Sequence, residues 1–372
     1  MIFFIHLYKH TIMKTYFIGL VFLSVTFFSN AQGISAYADY RNYFYAYENN
    51  NTFLLETLPV LWYKVSKNSV VYLDNSSNLK AYYKGQKYDL ADGAPSNCIS
   101  GDVLTTFFSN RILKVFDRGK TTMLAGWTTN YVVGDSIVGC LDQNGYTFKI
   151  YYNGQTTNLP DGLDESTQQS FVAGDNLLAY KSIDGYFKVY YNNQVYNTEV
   201  SQVTNYKAAA NTVAFVNESS QEFNLFYKGT TQIIERNAPQ SFTVADDMVA
   251  YVDNSGSLNV IYMGQKIQLT SFPPQFYKAT DNILAYSDNQ NFTIFYKGKI
   301  YPLTNNYLPE EFTMDFNTLI YVDFQGYLNA FSEGKSQQVT YEKGITYDLF
   351  GNTVRYTNSM REIHFYTNGQ TY

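Results

Sequence analysis

Beyond residue 31 the chain carries one histidine, His364, in the run Glu362-Ile363-His364-Phe365-Tyr366. A histidine-rich metal centre is therefore excluded there, and any Ser-His-Asp triad would depend on that one residue. Its neighbours alternate apolar and polar, so it reads as an outward-facing residue of a strand. Cys98 and Cys140 are the two cysteines. A whole structural unit separates them, which places them beyond bridging distance as buried, inert thiols. Short acidic or amide side chains recur as Asp74, Asp142, Asn217, Asp253, Asp288, Asp323 and Asn358. Carboxylates in such a series could bind calcium or work as a pair, but neither an EF-hand nor a calcium nonapeptide spacing is present. Their regularity fits Asx-type hairpin turns, in which the side chain accepts hydrogen bonds from the local backbone. No catalytic residue, metal ligand or cofactor is expected.

The residues that depart from this regularity are the better candidates. Arg111, Lys114, Arg118, Lys120 and Trp127 fall within 17 positions, and Trp127 is one of two tryptophans. Shortly after comes an insertion carrying Asp161, Asp164 and Glu165. Tryptophan and arginine are enriched at binding hot spots. Arg111, Arg118, Trp127, Asp161 and Asp164 are accordingly expected to contact a ligand or partner.

A repeat must position them. An Asn-like residue is followed four places later by an aromatic in Asn68/Tyr72, Asn176/Tyr180, Asn211/Phe215, Asp247/Tyr251, Asn282/Tyr286, Asn317/Tyr321 and Asn352/Tyr356. Asp102/Thr106 and Ser136/Cys140 are degenerate versions. The steps between starts are 34, 34, 40, 35, 36, 35, 35 and 35 residues. An aromatic precedes nearly every start by five places, and a Tyr-x-Gly element recurs in phase at Gly85, Gly154, Gly229, Gly264 and Gly298. Each unit reads as four short strands; from Asn282 they are expected at 283–286, 292–296, 300–303 and 311–314. The glycines supply the positive φ of tight hairpin turns. Helical periodicity is absent, so the chain is all-β.

Composition agrees. With 37 Tyr, 28 Phe and 2 Trp, 45% apolar and 16% charged residues, the chain can build a core and favours strands. Four short antiparallel strands repeated many times resemble the TolB-like and WD40-like β-propeller repeats over residues 40–372. The Trp-Asp signature of true WD40 repeats and the Ser-x-Asp-x-Gly-x-Thr-Trp box of sialidase-type propellers are missing. The resemblance therefore implies architecture and carries no functional residues. The expected fold is one propeller of nine blades (eight as the alternative), with the N-terminal segment completing the C-terminal blade so that no sheet edge is left open.

Residues 1–31 read as a cleaved signal peptide: a weakly basic start, an apolar run at 16–28, and small residues at Ser29 and Ala31. The run is shorter than a bilayer span. Residues 32–372 would form a single exported domain, periplasmic or secreted, monomeric and without a membrane span. Removing the leader leaves 24 basic against 32 acidic residues, a balance that excludes the basic footprint of a nucleic-acid binder. The favoured function is a non-enzymatic module that binds or scaffolds an envelope or extracellular protein. A glycan-binding propeller and a carboxylate-based hydrolase or lyase in the central channel are the alternatives.

Overall fold

The computed structural model describes residues 33–160, 162–164 and 170–372. The expected signal peptide, Asp161 and Glu165 lie outside the described residues. All described residues belong to the unit Gln32–Tyr372.

Ten antiparallel sheets follow one another along the chain, each a meander of sequential strands. The first has three strands, Ile34–Ala38, Phe44–Glu48 and Asn51–Glu56, which by repeat phase correspond to the second, third and fourth strands of the others. The other nine have four, beginning with Trp62–Val65, Ser69–Leu73, Leu79–Tyr83 and Gln86–Ala91. The tenth ends on Thr346–Phe350, Thr353–Thr357, Ile363–Thr367 and Gln370–Thr371. The expectation of nine or eight blades is thus corrected to ten. The missed blade starts at Gly33, where the column has no Asn, and its hairpin uses Asn49-Asn50 where others have a glycine. Its Tyr37 and Asp39 nevertheless keep the repeat phase.

Joined termini in one blade is also corrected. The strand expected at 311–314 is observed as Phe312–Asp315 and opens the next sheet instead of closing its own. The C-terminal blade therefore already holds its first strand and needs nothing from the N-terminus. Its last strand is short, with Tyr372 exchanging backbone hydrogen bonds with Phe365. The seam between blades 10 and 1 is made by side chains. Phe365 stacks on Tyr47 with ring centroids 3.9 Å apart and planes 6° off parallel. Arg355 donates to the Ala36 carbonyl at 2.6 Å and to Tyr63 Oη at 3.0 Å.

Each repeat column has a physical task. The turn between third and fourth strands places two consecutive residues at positive φ, as in Lys84-Gly85, Lys228-Gly229 and Lys297-Gly298. That is the type I′ geometry whose twist matches the strands. The acidic column forms Asx turns: Asp74 Oδ1 accepts from the backbone N–H of Ser76 and Asn78 at 2.9 and 2.8 Å, and Asp253 and Asp323 repeat the pattern. Aromatic columns join blades. Phe223 of blade 6 lies 5.0 Å from Phe242 and 5.4 Å from Tyr251 of blade 7, and Phe292 meets Phe312 and Tyr321 in the same way. The Asn column links neighbours around the axis: Asn176 Nδ2 donates to Asn211 Oδ1 at 2.9 Å, and Asn211 Nδ2 to Asp247 Oδ1 at 3.1 Å.

The meander gives the disc two unlike faces. Turns between first and second strands, and between third and fourth, share one face, called here the turn face. The second-to-third hairpins and the blade-to-blade connections share the other, the loop face.

Candidate functional site

Blade 3, whose strands span 98–125, lacks the aromatic wedge of its neighbours, because Asn97 and Thr106 occupy the two ring columns. Its second-to-third hairpin is a two-residue turn, Asn110-Arg111, with φ of 52° and 67°. These two local changes open a recess of about 370 Å³ on the loop face, lined by Ser96, Asn97, Phe108, Arg111, Trp127, Thr128, Thr129 and Tyr131. Trp127 sits on the connection from blade 3 to blade 4 and is 54% exposed. Its carbonyl accepts from the Gln143 N–H at 2.9 Å, fixing the connection to the next hairpin. Gly126 permits that approach, since a Cβ there would stand 2.4 Å from Asn144 Nδ2. Asn97 Nδ2 donates to Tyr131 Oη at 2.7 Å, and burial, then the nearby Cys98, raises the pKa of that phenol. An indole face, a guanidinium and several amide and hydroxyl groups thus converge on one concavity, a combination suited to binding.

Arg111 and Trp127 share this recess. Arg118 does not: it occupies the third-to-fourth turn on the turn face, with Nε 3.4 Å from Asp117 Oδ1. Asp164 lies in the next connection round the loop face, its N–H bonded to the Lys181 carbonyl at 3.0 Å. Around the recess the loop face exposes Tyr40, Leu58, Leu61, Tyr146, Ile183, Phe272, Phe324, Tyr341 and Met360, with Tyr146 and Tyr341 at 83% and 87%. Among the described residues, the turns of the opposite face add only Met263 to the exposed large apolar side chains. Exposed acids are interspersed on the loop face, including Asp92, Asp184, Glu199, Glu218, Glu310 and Glu362. Exposed large apolar side chains are thus concentrated in the turns and connections of the loop face, a bias that marks the face for interaction.

A second cluster lies at the axis on the turn face. Small residues let the first turns of adjacent blades touch; a Cβ on Gly134 would fall 1.8 Å from the Gly174 carbonyl oxygen. Lys67 of blade 2 reaches across to Asp281 of blade 8 at 2.8 Å, pairs with Asp102 of blade 3, and stands 3.6 Å from Asp135 of blade 4. Its ammonium lies 4.0 Å from the centroid of the Phe316 ring. Asp102, Asp135 and Asp281 form one grouping of carboxylate oxygens within 4.8 Å, and Asp175, Asp246 and Asp281 form another. Such groupings have the oxygen chemistry of a hard-cation site, and the Lys67 ammonium supplies the positive charge of the first. Burial raises Asp281 to about 6 despite Lys67. Burial, a hydrogen bond with Asp246 and three neighbouring carboxylates push Asp175 much further up, so it holds a proton at neutral pH. Asp135 and Asp315 are also raised by burial. Sequence reasoning passed over this cluster. Its signal was the residue immediately before the Asn column, which is Lys67, Asp135, Asp175, Asp246 and Asp281 in five units.

Both cysteines are free and buried, and burial pushes their thiols up to about 11 for Cys98 and about 12 for Cys140. His364 Nε2 lies 3.1 Å from Asn358 Nδ2 and stacks on Tyr356, a strand-surface position.

A family model described as a 10-bladed beta propeller domain matches residues 28–372, in agreement with the ten sheets. No curated protein matches the chain. Among solved structures the chain is similar to the computationally designed Ika8 protein, at 16% identity and TM-score 0.36, over 73% of this chain and 95% of that one. It is similar to BamB from Moraxella catarrhalis, at 11% identity and TM-score 0.30, over 82% and 100%. PorZ, a surface component of the type-IX secretion system of Porphyromonas gingivalis, aligns at 12% identity and TM-score 0.27, over 89% of this chain and 56% of that one.

Proposed function

From the premise that the chain belongs to the 10-bladed beta propeller domain family, we propose that it is an exported, non-enzymatic binding module that holds a protein partner on its loop face in the cell envelope. The observation that carries this reading is the bias of exposed apolar side chains towards that face, which also bears the recess of Arg111 and Trp127. Acids interspersed with apolar groups favour a partner segment that combines basic with apolar side chains. Export rests on the basic, apolar and small-residue order of 1–31. Lys67 holds Asp102 and Asp281 in ion pairs that tie distant blades together, which favours a structural role for the axial cluster over a catalytic one.

The test is affinity capture of the tagged mature protein from the envelope of its own source, alongside Trp127→Ala. Recovery of a stoichiometric protein by the parent and at least about a tenfold loss in the variant, with unchanged melting, are expected. Equal capture by both would sink the assignment of the face. A second reading is favoured by the lining of the recess itself, where Asn97, Thr128 and Thr129 border the indole as hydroxyl-binding groups would around a stacked sugar. Binding to a glycan panel that disappears in Trp127→Ala, without capture of a protein, would establish it instead.

A further inference from the structure

We propose that the axial bore contains a binding site for a small multivalent oxyanion, bearing carboxylate or phosphate groups, at the level of Lys207 and Lys278. The site is separate from the Trp127 recess, which lies between blades 3 and 4.

In blades 2 to 10 the first strand pairs on one edge only, with its second strand. Its other edge faces the bore and offers unpaired backbone N–H and C=O groups. Repeat phase then sets the height of each side chain. Four places before the Asn column stand Lys64, Lys207 and Lys278 on blades 2, 6 and 8, so the three ammonium stems leave their strands at the same level. Asp348 is the acid at that level, and it is paired with Arg355. Glu311 lies two places nearer the loop face.

At this level the first strands of blades 6 to 9 line an open recess of about 690 Å³, whose wall includes Lys207, Thr243, Tyr277, Lys278, Phe312 and Thr313. That volume is within the range of small-molecule sites, roughly 300–1,000 Å³. Lys207 Nζ donates to the Phe242 carbonyl at 2.6 Å and keeps two of its three N–H directions for a ligand. Lys278 Nζ stands 5.1 Å from the Phe312 ring centroid. Two ammonium groups, threonine hydroxyls and aromatic rings in one wall suit an oxyanion attached to a compact carbon frame.

The bore is polarised. The carboxylates of Asp246 and Asp281 lie three or so residues further towards the turn face, about 10 Å along a strand. They repel an anion from that end, and the Lys67 clasp occupies the axis there. The ligand therefore enters from the loop face and stops at the lysine level.

Isothermal titration of the full mature chain with citrate and with pyrophosphate, at low and at physiological ionic strength, tests the site. Binding of at least one probe is expected, weaker at the higher ionic strength. Lys207→Gln with Lys278→Gln should weaken it by at least about tenfold, while Lys278→Arg retains it. Citrate alone identifies a carboxylate ligand and pyrophosphate alone a phosphate ligand. Absence of binding by both probes at low ionic strength, or unchanged affinity in the double variant, overturns the proposal. Should the double variant melt early, Lys278→Gln alone gives the same reading, because its ammonium contacts a ring and no backbone carbonyl.

Discussion

Replacing Lys67 by Met should deepen a pH dependence of stability that runs opposite to ordinary acid denaturation. In the parent protein Asp281 titrates near 6 instead of 3.8, because its carboxyl is buried and only 9% of the side chain is exposed. Between those values the folded state binds more protons than the unfolded one, so stability falls as pH rises from about 4 to 6 and is then level. The difference corresponds to roughly 3 kcal/mol of destabilisation from Asp281 at neutral pH. Met keeps the length and volume of the lysine stem while removing the ammonium. Asp281, Asp102 and Asp135 then lose a shared counter-ion. Breaking a buried pair costs about 3–5 kcal/mol, and because Lys67 is 20% exposed we expect the lower end. At roughly 2 °C per kcal/mol for a domain of this size, the variant should melt about 5 °C below the parent at pH 7.5. Near pH 5 Asp281, and Asp135 with its likewise raised pKa, take up protons and most of the deficit should vanish. Calorimetric melts of both proteins at the two pH values decide the matter. An equal deficit at both, or none at pH 7.5, would refute the electrostatic reading of the cluster.

Two further outcomes concern the fold. Phe365→Ala removes the ring stacked on Tyr47 at the seam and should cost about 3–5 kcal/mol; limited proteolysis should then cut first in residues 33–56, whereas Phe223→Ala, an interior joint, should not direct cleavage there. Gly264 has φ of 80° with open space around its missing Cβ, so Gly264→Val should cost about 1–2 kcal/mol by conformation alone and Gly264→Asn clearly less, as read from denaturant midpoints.

Legibility followed locality. The aromatic columns and the Tyr-x-Gly turns announce blades because each acts within a unit or between neighbours. The first blade escaped because Gly33 and Asn50 replace the two residues used to recognise a start and a turn, although Tyr37 and Asp39 remained visible. The axial cluster escaped for another reason: Lys67 and Asp281 are 214 residues apart, and only ring closure brings them to 2.8 Å. The separation of Arg111 from Arg118 is simple strand geometry. Ile112–Asp117 lies between them, about 20 Å of extended chain, which delivers them to opposite faces. Trp127 and Arg111 were recognisable as departures from the repeat, but not the recess they share, which depends on what Asn97 and Thr106 fail to fill.

The seam has a kinetic consequence. Nine of the ten joints connect blades that follow one another in sequence, and each can form as soon as its two hairpin sets exist. The tenth connects Ala36 to Arg355, 319 residues away, and must wait for the whole arc. No strand crosses it, so its formation requires no threading and no exchange of hydrogen-bond partners between sheets. Folding can therefore proceed blade by blade during synthesis and finish in a single docking event. The number of units is then set by the angle at which each joint turns, and the ring locks when the accumulated rotation presents Phe365 to Tyr47.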